Sequence, residues 1–246
     1  MAAIVVIPAR FGSTRFPAKI VARDTGKPLV QHVVDQAAKC RRIDKVIVAT
    51  DDSRIADALR PFETHVAMTS PAHQSGTDRI AEVAKKLSCD IVVNVQGDEP
   101  EIEPEIIDAL VDRLEKFPAD DMATACTMFR PGMNPLDPNL VKVVMNEAGR
   151  AIYFSRSPIP YHRDADFAEN LAYHLHLGIY AYRTPFLLKF SSWSQTPLEK
   201  TEKLEQLRAL EHGCSIYVLK TDRATHGIDT PEQYADFVQR YRRVDS

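Results

Sequence analysis

The sequence predicts an α/β fold in which a mostly parallel central sheet is flanked by helices and carries a smaller antiparallel extension. In the first half of the chain, short β-branched runs alternate with amphipathic helical segments, the order expected of parallel strands joined by right-handed crossovers. After about residue 120 this alternation is lost, and residues 120–195 are typical of an antiparallel extension. With 246 residues, 44% of them apolar, the chain is predicted to form one domain over 1–246 that includes the extension.

The first half contains strand and helix signals in regular succession. The first strand is an uninterrupted run of Ile and Val at residues 4–7, and the first helix repeats apolar residues at helical spacing from Leu29 to Ala37. A β-branched strand over 46–50 precedes a helix over 53–59, which Asp52 or Ser53 caps. The first helix is predicted over 28–40, and the other elements of this half are a helix over 77–87, a strand over 90–96 and a helix over 104–117.

The second half is predicted to hold more strands than helices. The predicted strands cover residues 122–129, 141–145, 151–155, 176–182 and 216–219. Residues 198–211 have the apolar spacing of one strong helix. A last helix is predicted over 231–242, because Pro231 suits a first helical position.

Composition excludes several classes of function. The net charge is −3, from 31 basic and 34 acidic residues, so the chain has no general positive field for nucleic acid. The 4 cysteines are scattered without the spacing of a zinc site, and we expect them to be reduced. Because no signal-type segment begins the chain and no apolar run has the length of a membrane span, we expect a soluble cytoplasmic protein.

The loop after the first strand carries the strongest functional signal. Arg10, Arg15 and Lys19 lie on a loop rich in Gly, Ser and Thr, which includes Ser13. Ligands of open α/β sheets bind at the carboxyl ends of strands, and such a loop offers backbone N–H groups and cations to an anion. The loop matches neither the Walker nor the dinucleotide fingerprint. It is predicted to cradle a nucleoside triphosphate; the alternative is a basic surface loop with solvated arginines.

Two aspartates are candidates for holding Mg²⁺, which prefers oxygen ligands and takes one or two carboxylates plus substrate phosphates. Asp98 directly follows a predicted buried strand, and Asp229 precedes the last helix. Alternatively, Asp98 is a turn residue and Asp229 belongs to an ordinary helix start. Their separation in the sequence does not decide whether they meet.

Other polar residues have both a binding and a structural interpretation. The segment 73–79 offers small polar groups to a base edge, or is a helix start capped by Ser75 or Thr77. Arg156 and Arg163 suit a carboxylate, or lie in solvent. Polar residues among apolar neighbours, which are ligand contacts or else core and surface positions, are His176, Tyr180, Glu205 and Gln206.

Together these segments resemble the sugar-nucleotide cytidylyltransferase family over essentially the whole chain. The matching segments are IPARFGSTRFPAK (7–19), VATD (48–51), HQSGTDR (73–79), VNVQGDEP (93–100), YFSR (153–156), HLGIYAYR (176–183), PLE (197–199), LEQLR (204–208) and GIDTPE (227–232). Within the family, the resemblance is to the members that activate the keto-sugar acid 3-deoxy-D-manno-octulosonate (Kdo).

The resemblance implies a Rossmann-like nucleotidyltransferase fold and a homodimer that uses CTP, Kdo and Mg²⁺ to make CMP-Kdo and pyrophosphate for lipopolysaccharide. It implies a catalytic set of Arg15, Lys19, Asp98 and Asp229, with the two aspartates as metal ligands. The implied nucleotide contacts are Arg10, Ser13, Arg15, Lys19, Gln74, Ser75, Gly76 and Arg79. The implied sugar-acid contacts are Arg156, Arg163, His176, Tyr180, Glu205 and Gln206, with Gln96 close to the reacting centre.

The chain departs from the family pattern in two places. Ala18-Lys19-Ile20-Val21 stands where members often have Gly-Lys-Pro-Leu, and the stretch 161–173, which includes Arg163, is shorter and differently charged than in the family. No residue stands out as a general base, so metal activation of the sugar hydroxyl is the mechanistic hypothesis. Two other functions stay open: a cytidylyltransferase for 8-amino-Kdo or a sialic-type acid, and a nucleotide-binding regulator without catalysis.

Overall fold

The computed structural model describes residues 1–13, 15–161, 163, 173–223 and 227–244. The chain divides into two compact units: the first unit comprises Met1–Asp108 and Thr225–Ser246, and the second unit comprises Ala109–Ala224. Within the described ranges, none of the helices combines the length and the hydropathy needed to cross a bilayer.

The first unit is built on a fully parallel four-stranded sheet. Its strands are β1 (Ala3–Pro8), β2 (Lys45–Thr50), β3 (Val66–Met68) and β4 (Ile91–Asn94), in the spatial order β3-β2-β1-β4. The register pairs Val5 with Val46 on one side and with Val93 on the other. The three apolar partners are mostly or fully covered, as expected of parallel strands buried on both faces.

Helices follow the strands of the first unit, as the alternating sequence pattern predicts. They are α1 (Leu29–Ala37), α2 (Ser53–Leu59), α3 (Gly76–Lys85) and α8 (Pro231–Val244), and α4 (Pro104–Lys116) begins in this unit. Leu29 of α1 packs in one apolar cluster with Tyr234 and Phe237 of α8. The Tyr234 hydroxyl also accepts a hydrogen bond from the Asp24 N–H at 2.9 Å. These contacts fix the start of α8, and therefore Asp229 just before it, within the first unit.

The second unit supplies the antiparallel strands that the sequence predicts. Its strands are β5 (Met122–Met128), β6 (Lys142–Met145), β7 (Ala151–Ser155), β8 (His174–Arg183) and β9 (Ile216–Lys220). β5 lies between β8, its antiparallel neighbour, and β9, which runs parallel to it. β6 pairs antiparallel with both β7 and β8. The helices of this unit are α5 (Thr184–Ser192), α6 (Pro197–Glu202) and α7 (Gln206–Glu211).

The predicted fold class is confirmed, one predicted element is wrong, and two elements were not predicted. The single helix predicted over 198–211 is two helices, because Lys203 adopts a left-handed conformation with φ 53°, which ends α6. The short strand β3 and the helix α5 were not predicted from the sequence. The family departure noted over 161–173 falls almost wholly outside the described residues.

Candidate active site

The first unit contains a cleft of about 670 Å³ at the carboxyl ends of β1 and β4. The chain leaves β1 toward β2 on one side, while β4 lies on the other, so the cleft is at the point where the strand order reverses. Such switch points are where open α/β sheets bind ligands. The predicted site residues that line this cleft are Arg10, Ser13, Arg15, Lys19, Gln74, Ser75, Gly76, Arg79, Gln96, Asp98 and Asp229.

The loop after β1 brings one of its cations into the interior. Ala18 has a left-handed conformation with φ 56° and precedes a 3-10 turn over Lys19–Val21. Lys19 is only 6% exposed, so the alternative of a solvated surface cation does not hold for this residue. Phe16 packs against Tyr234, with 5.5 Å between ring centroids, and ties the loop to α8. Arg10 and Arg15 remain exposed at the cleft.

The Lys19 ammonium brings the two candidate metal ligands together. Its Nζ lies 2.7 Å from Oδ2 of Asp98 and 3.3 Å from Oδ1 of Asp229. Arg15 Nη2 lies 3.1 Å from the other carboxylate oxygen of Asp229. A backbone hydrogen bond of 2.8 Å from the Ile228 N–H to the Asp98 carbonyl joins the two loops directly. Two carboxylates that are far apart in the sequence therefore face one cation in one cleft.

The donor set around Lys19 fits a hard divalent cation. The described residues contain no group of three or more His, Cys, Asp or Glu side chains arranged to hold a metal by themselves. Two carboxylates with an open cleft beside them match the way Mg²⁺ binds, because it usually takes one or two protein carboxylates and completes its shell with substrate phosphates and water.

Backbone packing places Asp98 close to the end of β1. A Cβ atom at Gly97 would lie 3.3 Å from the Pro8 carbonyl oxygen and 3.3 Å from Cδ1 of Ile20. With a side chain at this position, the end of β1 or the Ile20 side chain would have to shift by a few tenths of an ångström, and glycine avoids both contacts. The sequence analysis did not single out Gly97, although a glycine directly before a candidate ligand was a readable signal.

The segment before α3 is both a helix cap and part of the cleft wall. Ser75 is the N-cap: its hydroxyl accepts from the Asp78 N–H at 3.1 Å, and the Asp78 carboxylate accepts from the Ser75 N–H at 3.2 Å. This reciprocal capping box decides between the two predicted caps in favour of Ser75. A Cβ at Gly76 would lie 3.3 Å from Cγ of Pro8, so α3 starts close against the end of β1.

Side-chain contacts of Arg79 and of Glu82 hold this wall of the cleft in place. Arg79 is buried, pairs with Asp51 at 3.1 Å and donates to the Thr69 hydroxyl. His73, which the sequence analysis did not include among the site residues, lines the cleft and contacts Glu82 at 2.7 Å. The pKa of Glu82 is lowered to about 2 by Lys86, the Ser70 N–H and His73. The Glu82 carboxylate therefore stays charged and anchors His73.

In the second unit, a β-bulge lies beside two of the predicted sugar-acid residues, His176 and Tyr180. The β5–β8 register shifts between Thr124 and Ala125, so that Thr124 pairs with Tyr180 and Ala125 with Leu177. The Thr124 hydroxyl lies 2.9 Å from Nε2 of His176 and 2.7 Å from the Ile179 carbonyl oxygen. Bulges of this kind redirect side chains beside functional sites. Thr124 was missed by the sequence analysis; its signal is a polar residue inside an apolar strand.

The bulge places His176 and Tyr180 side by side, with ring centroids 5.4 Å apart. Burial lowers the pKa of His176 to about 3, so its imidazole is neutral at physiological pH. Burial, and then the negative charge of Glu205, raise the pKa of Tyr180, so its phenol keeps its proton. The pair presents neutral hydrogen-bonding groups. The Glu205 carboxylate lies close enough to Tyr180 to affect its pKa.

The remaining predicted sugar-acid residues have different surroundings. Arg156 donates to the carbonyl oxygens of Glu202 at 2.6 Å and Pro138 at 2.7 Å, which ties the end of β7 to the end of α6 and to the segment before β6. Gln206 is 5% exposed, and its Nε2 has no hydrogen-bond partner among the described residues. A buried unpaired donor is costly and calls for an acceptor. Arg163 is exposed, in a stretch where most neighbours are not described.

Comparisons with known proteins match this chain along most of its length. The family model described as Cytidylyltransferase matches residues 4–217. A protein of Geobacter sulfurreducens named 3-deoxy-manno-octulosonate cytidylyltransferase is 48% identical over 245 residues, which cover 96% of this chain and 98% of that protein.

Solved structures share the fold. One described as CMP:2-keto-3-deoxy-manno-octonic acid synthetase complexed with CTP has a TM-score of 0.92 at 40% identity and covers 99% of both chains. A cytidylyltransferase from Leptospira borgpetersenii has a TM-score of 0.66 at 19% identity, covering 97% of this chain and 85% of that chain. The more distant likeness supports the fold alone.

Proposed function

This chain belongs to the cytidylyltransferase family, and from that premise we propose that it transfers CMP from CTP to the anomeric hydroxyl of Kdo. The hydroxyl oxygen bonds to the α-phosphorus, the bond from that phosphorus to the β-phosphate oxygen breaks, and pyrophosphate leaves while the hydroxyl loses its proton. The observation that carries the proposal is the cleft in which Lys19 meets both Asp98 and Asp229 beside Arg15.

The residues of the first unit perform the nucleotide part of the reaction. Arg10, Arg15 and Lys19 bind the triphosphate and stabilise the negative charge that gathers on departing pyrophosphate, since nucleotidyl transfer depends chiefly on positioning and charge neutralisation. The cytosine contacts are Gln74, Ser75 and Gly76, on a wall that the α3 capping box and Arg79 hold rigid. Ser13 and Gln96 lie along the same cleft.

Asp98 and Asp229 would hold Mg²⁺, for which their oxygens and spacing around one cation are suited. When bound, Mg²⁺ neutralises phosphate charge and lowers the pKa of the attacking hydroxyl. Lys19 is the cation between these carboxylates. Triphosphate binding draws Lys19 toward the phosphates, because their charge exceeds that of the two aspartates.

The residues of the second unit recognise the sugar acid. Neutral His176 and protonated Tyr180 offer hydrogen bonds to its hydroxyls without adding charge. Gln206 supplies a buried donor that a hydroxyl or carboxylate oxygen satisfies. Glu205 accepts from hydroxyls, and Arg156 and Arg163 are the cations proposed for the substrate carboxylate. We further propose, from the family resemblance, that the protein acts as a homodimer in the cytoplasm and supplies CMP-Kdo for lipopolysaccharide.

The direct test is pyrophosphate release by the purified protein with CTP, Mg²⁺ and one sugar acid at a time: Kdo, 8-amino-Kdo or a sialic acid. We expect turnover with Kdo and CTP, little with ATP or UTP, and loss of activity when EDTA removes the divalent cation. Preference for another sugar acid would correct the acceptor, and full activity in EDTA would remove the metal from the proposal. Nucleotide binding without any turnover would favour the regulator instead.

A further inference from the structure

A buried charge network links α5, α6 and α7 of the second unit. Arg208 of α7 and Glu199 of α6 have side chains that are 6% and 5% exposed. Arg208 binds Glu199 through both arms of its guanidinium, with Nε 2.8 Å from Oε2 and Nη2 2.6 Å from Oε1. This is the two-bond arrangement that only arginine makes with a carboxylate.

The same guanidinium is fixed on its other side by α5. Its Nη1 donates to the Phe190 carbonyl oxygen at 3.3 Å, and its Cζ lies 4.8 Å from the centroid of the Phe190 ring. Glu199 also belongs to the capping box that starts α6, where it accepts from the Thr196 N–H at 3.3 Å. Both partners of the pair are therefore held by further contacts, and the guanidinium has one defined position.

From that position Arg208 reaches a predicted substrate residue. Its Nη2 lies 3.3 Å from Oε1 of Glu205, the residue that precedes the first turn of α7. The Glu205 carboxylate is 29% exposed and close enough to Tyr180 to affect its ionisation. The break at Lys203 separates α6 from α7 and leaves Glu205 at the start of α7, within reach of Arg208.

Stability alone is a weak reason for such a network, because burying an ion pair often costs as much free energy as its attraction returns. We propose that Arg208, locked by Glu199, is a positioning residue that orients the Glu205 carboxylate to accept hydrogen bonds from the hydroxyls of the sugar acid. This inference rests on the proposed function and adds a determinant of acceptor affinity that itself does not touch the substrate.

The test is Arg208→Lys, which keeps the positive charge and loses the two-bond grip. We expect the KM for Kdo to rise about tenfold, in line with loss of an oriented charged hydrogen bond, while the KM for CTP stays within about twofold. Arg183→Lys is the matched control: Arg183 also braces the second unit, donating to the Asp120 and Phe117 carbonyl oxygens, but it contacts no predicted site residue. For Arg183→Lys we expect a comparable loss of melting temperature, with the KM for Kdo and the KM for CTP both unchanged.

A double-mutant cycle with Glu205→Gln separates positioning from general weakening. If Arg208 acts through Glu205, the Arg208→Lys change adds little to the KM for Kdo once Glu205 is already Gln. Additive effects, or equal losses for both substrates, would overturn the proposal. Should Arg208→Lys fold poorly, Glu199→Gln is the second variant and must give the same split. A wild-type protein that makes no CMP-Kdo would instead contradict the proposed function.

Discussion

At the scale of single residues, Lys19 organises the proposed nucleotide cleft. A cation that is almost fully buried is costly unless it is paired, and Lys19 is paired twice, with Asp98 and Asp229. Lys19 in turn stabilises the two aspartates, because two carboxylates that face one cleft would repel each other without a cation between them. Lys19, the proposed phosphate-binding lysine, therefore keeps the two candidate metal ligands aligned.

Replacing Lys19 by Met tests this arrangement. The KM for CTP should rise at least about tenfold, since a charged hydrogen bond to phosphate is lost, and the melting temperature should fall because the aspartates lose their shared cation. Mg²⁺ should restore more of the melting temperature in this variant than in the wild type. The measurements are steady-state kinetics and thermal unfolding with and without Mg²⁺.

Lys27→Met is the matched control for this change. Lys27 also pairs with an aspartate of the first unit, Asp35, but it does not line the cleft. Its loss should leave the KM for CTP unaltered. An unaltered KM for CTP in Lys19→Met would show that Lys19 is purely structural.

Site residues could be predicted from the sequence where they directly follow a predicted strand. Asp98 was identified because it follows a buried strand, and the basic loop because it follows β1. The salt bridges from Lys19 could not be predicted, since distance along the chain does not encode distance in space. The contacts of Arg208 were missed for the same reason, together with a helix break that places Glu205 within its reach.

At the scale of elements, the capping box of α3 couples local stability to the proposed base-binding wall. Ser75→Ala removes the side-chain cap and should cost about 1 kcal/mol of unfolding free energy. Because Ser75 and its neighbours Gln74 and Gly76 line the cleft, we also expect a rise in the KM for CTP. Denaturant unfolding measures the loss of unfolding free energy, and steady-state kinetics on the same preparation measure the KM for CTP.

Asp52→Ala provides the comparison, since Asp52 caps α2 by accepting from the Arg54 N–H and lies outside the cleft lining. It should cost a similar free energy and leave the KM for CTP unchanged. If both variants altered the KM equally, the effect would follow stability and not the position of the cap.

Elements with a strong periodic signal were predicted well, and those defined by tertiary contacts were not. The helix α2 was predicted at its observed bounds, because its cap and its apolar spacing agree. The break between α6 and α7 has no glycine or proline to announce it, since Lys203 itself takes the left-handed conformation. β3 has only three residues, which is too short for alternation to be recognised.

At the scale of the whole molecule, the predicted site residues divide between the two compact units. The predicted nucleotide and metal residues all belong to the first unit, and the sugar-acid residues named from Arg156 to Gln206 all belong to the second. The alternating first half and the strand-rich second half of the sequence had already indicated two architectures. The composition could not indicate how the bulge at Thr124 aligns His176 with Tyr180, because a register shift leaves no periodic signature.

The burial of His176 should make the free energy of unfolding of the whole fold depend on pH in the acidic range. Its pKa falls from 6.5 to about 3 on folding because of burial, so between these values the unfolded chain holds a proton that the folded protein does not. Stability must then rise with pH across this window, by up to about 1.4 kcal/mol per pH unit. The contribution is complete above pH 6.5 and is lost as the pH falls toward 3.

Urea unfolding at several values between about pH 7 and about pH 4.5 measures this slope. His176→Asn should be less stable at neutral pH, because the contact with Thr124 and the ring packing on Phe154 are lost, yet its stability should decline less steeply on acidification. His65→Asn, at an exposed histidine, should keep the wild-type slope. Parallel slopes for the wild type and His176→Asn would mean that His176 takes up its proton in the folded state, and its neutral role beside Tyr180 would then be wrong.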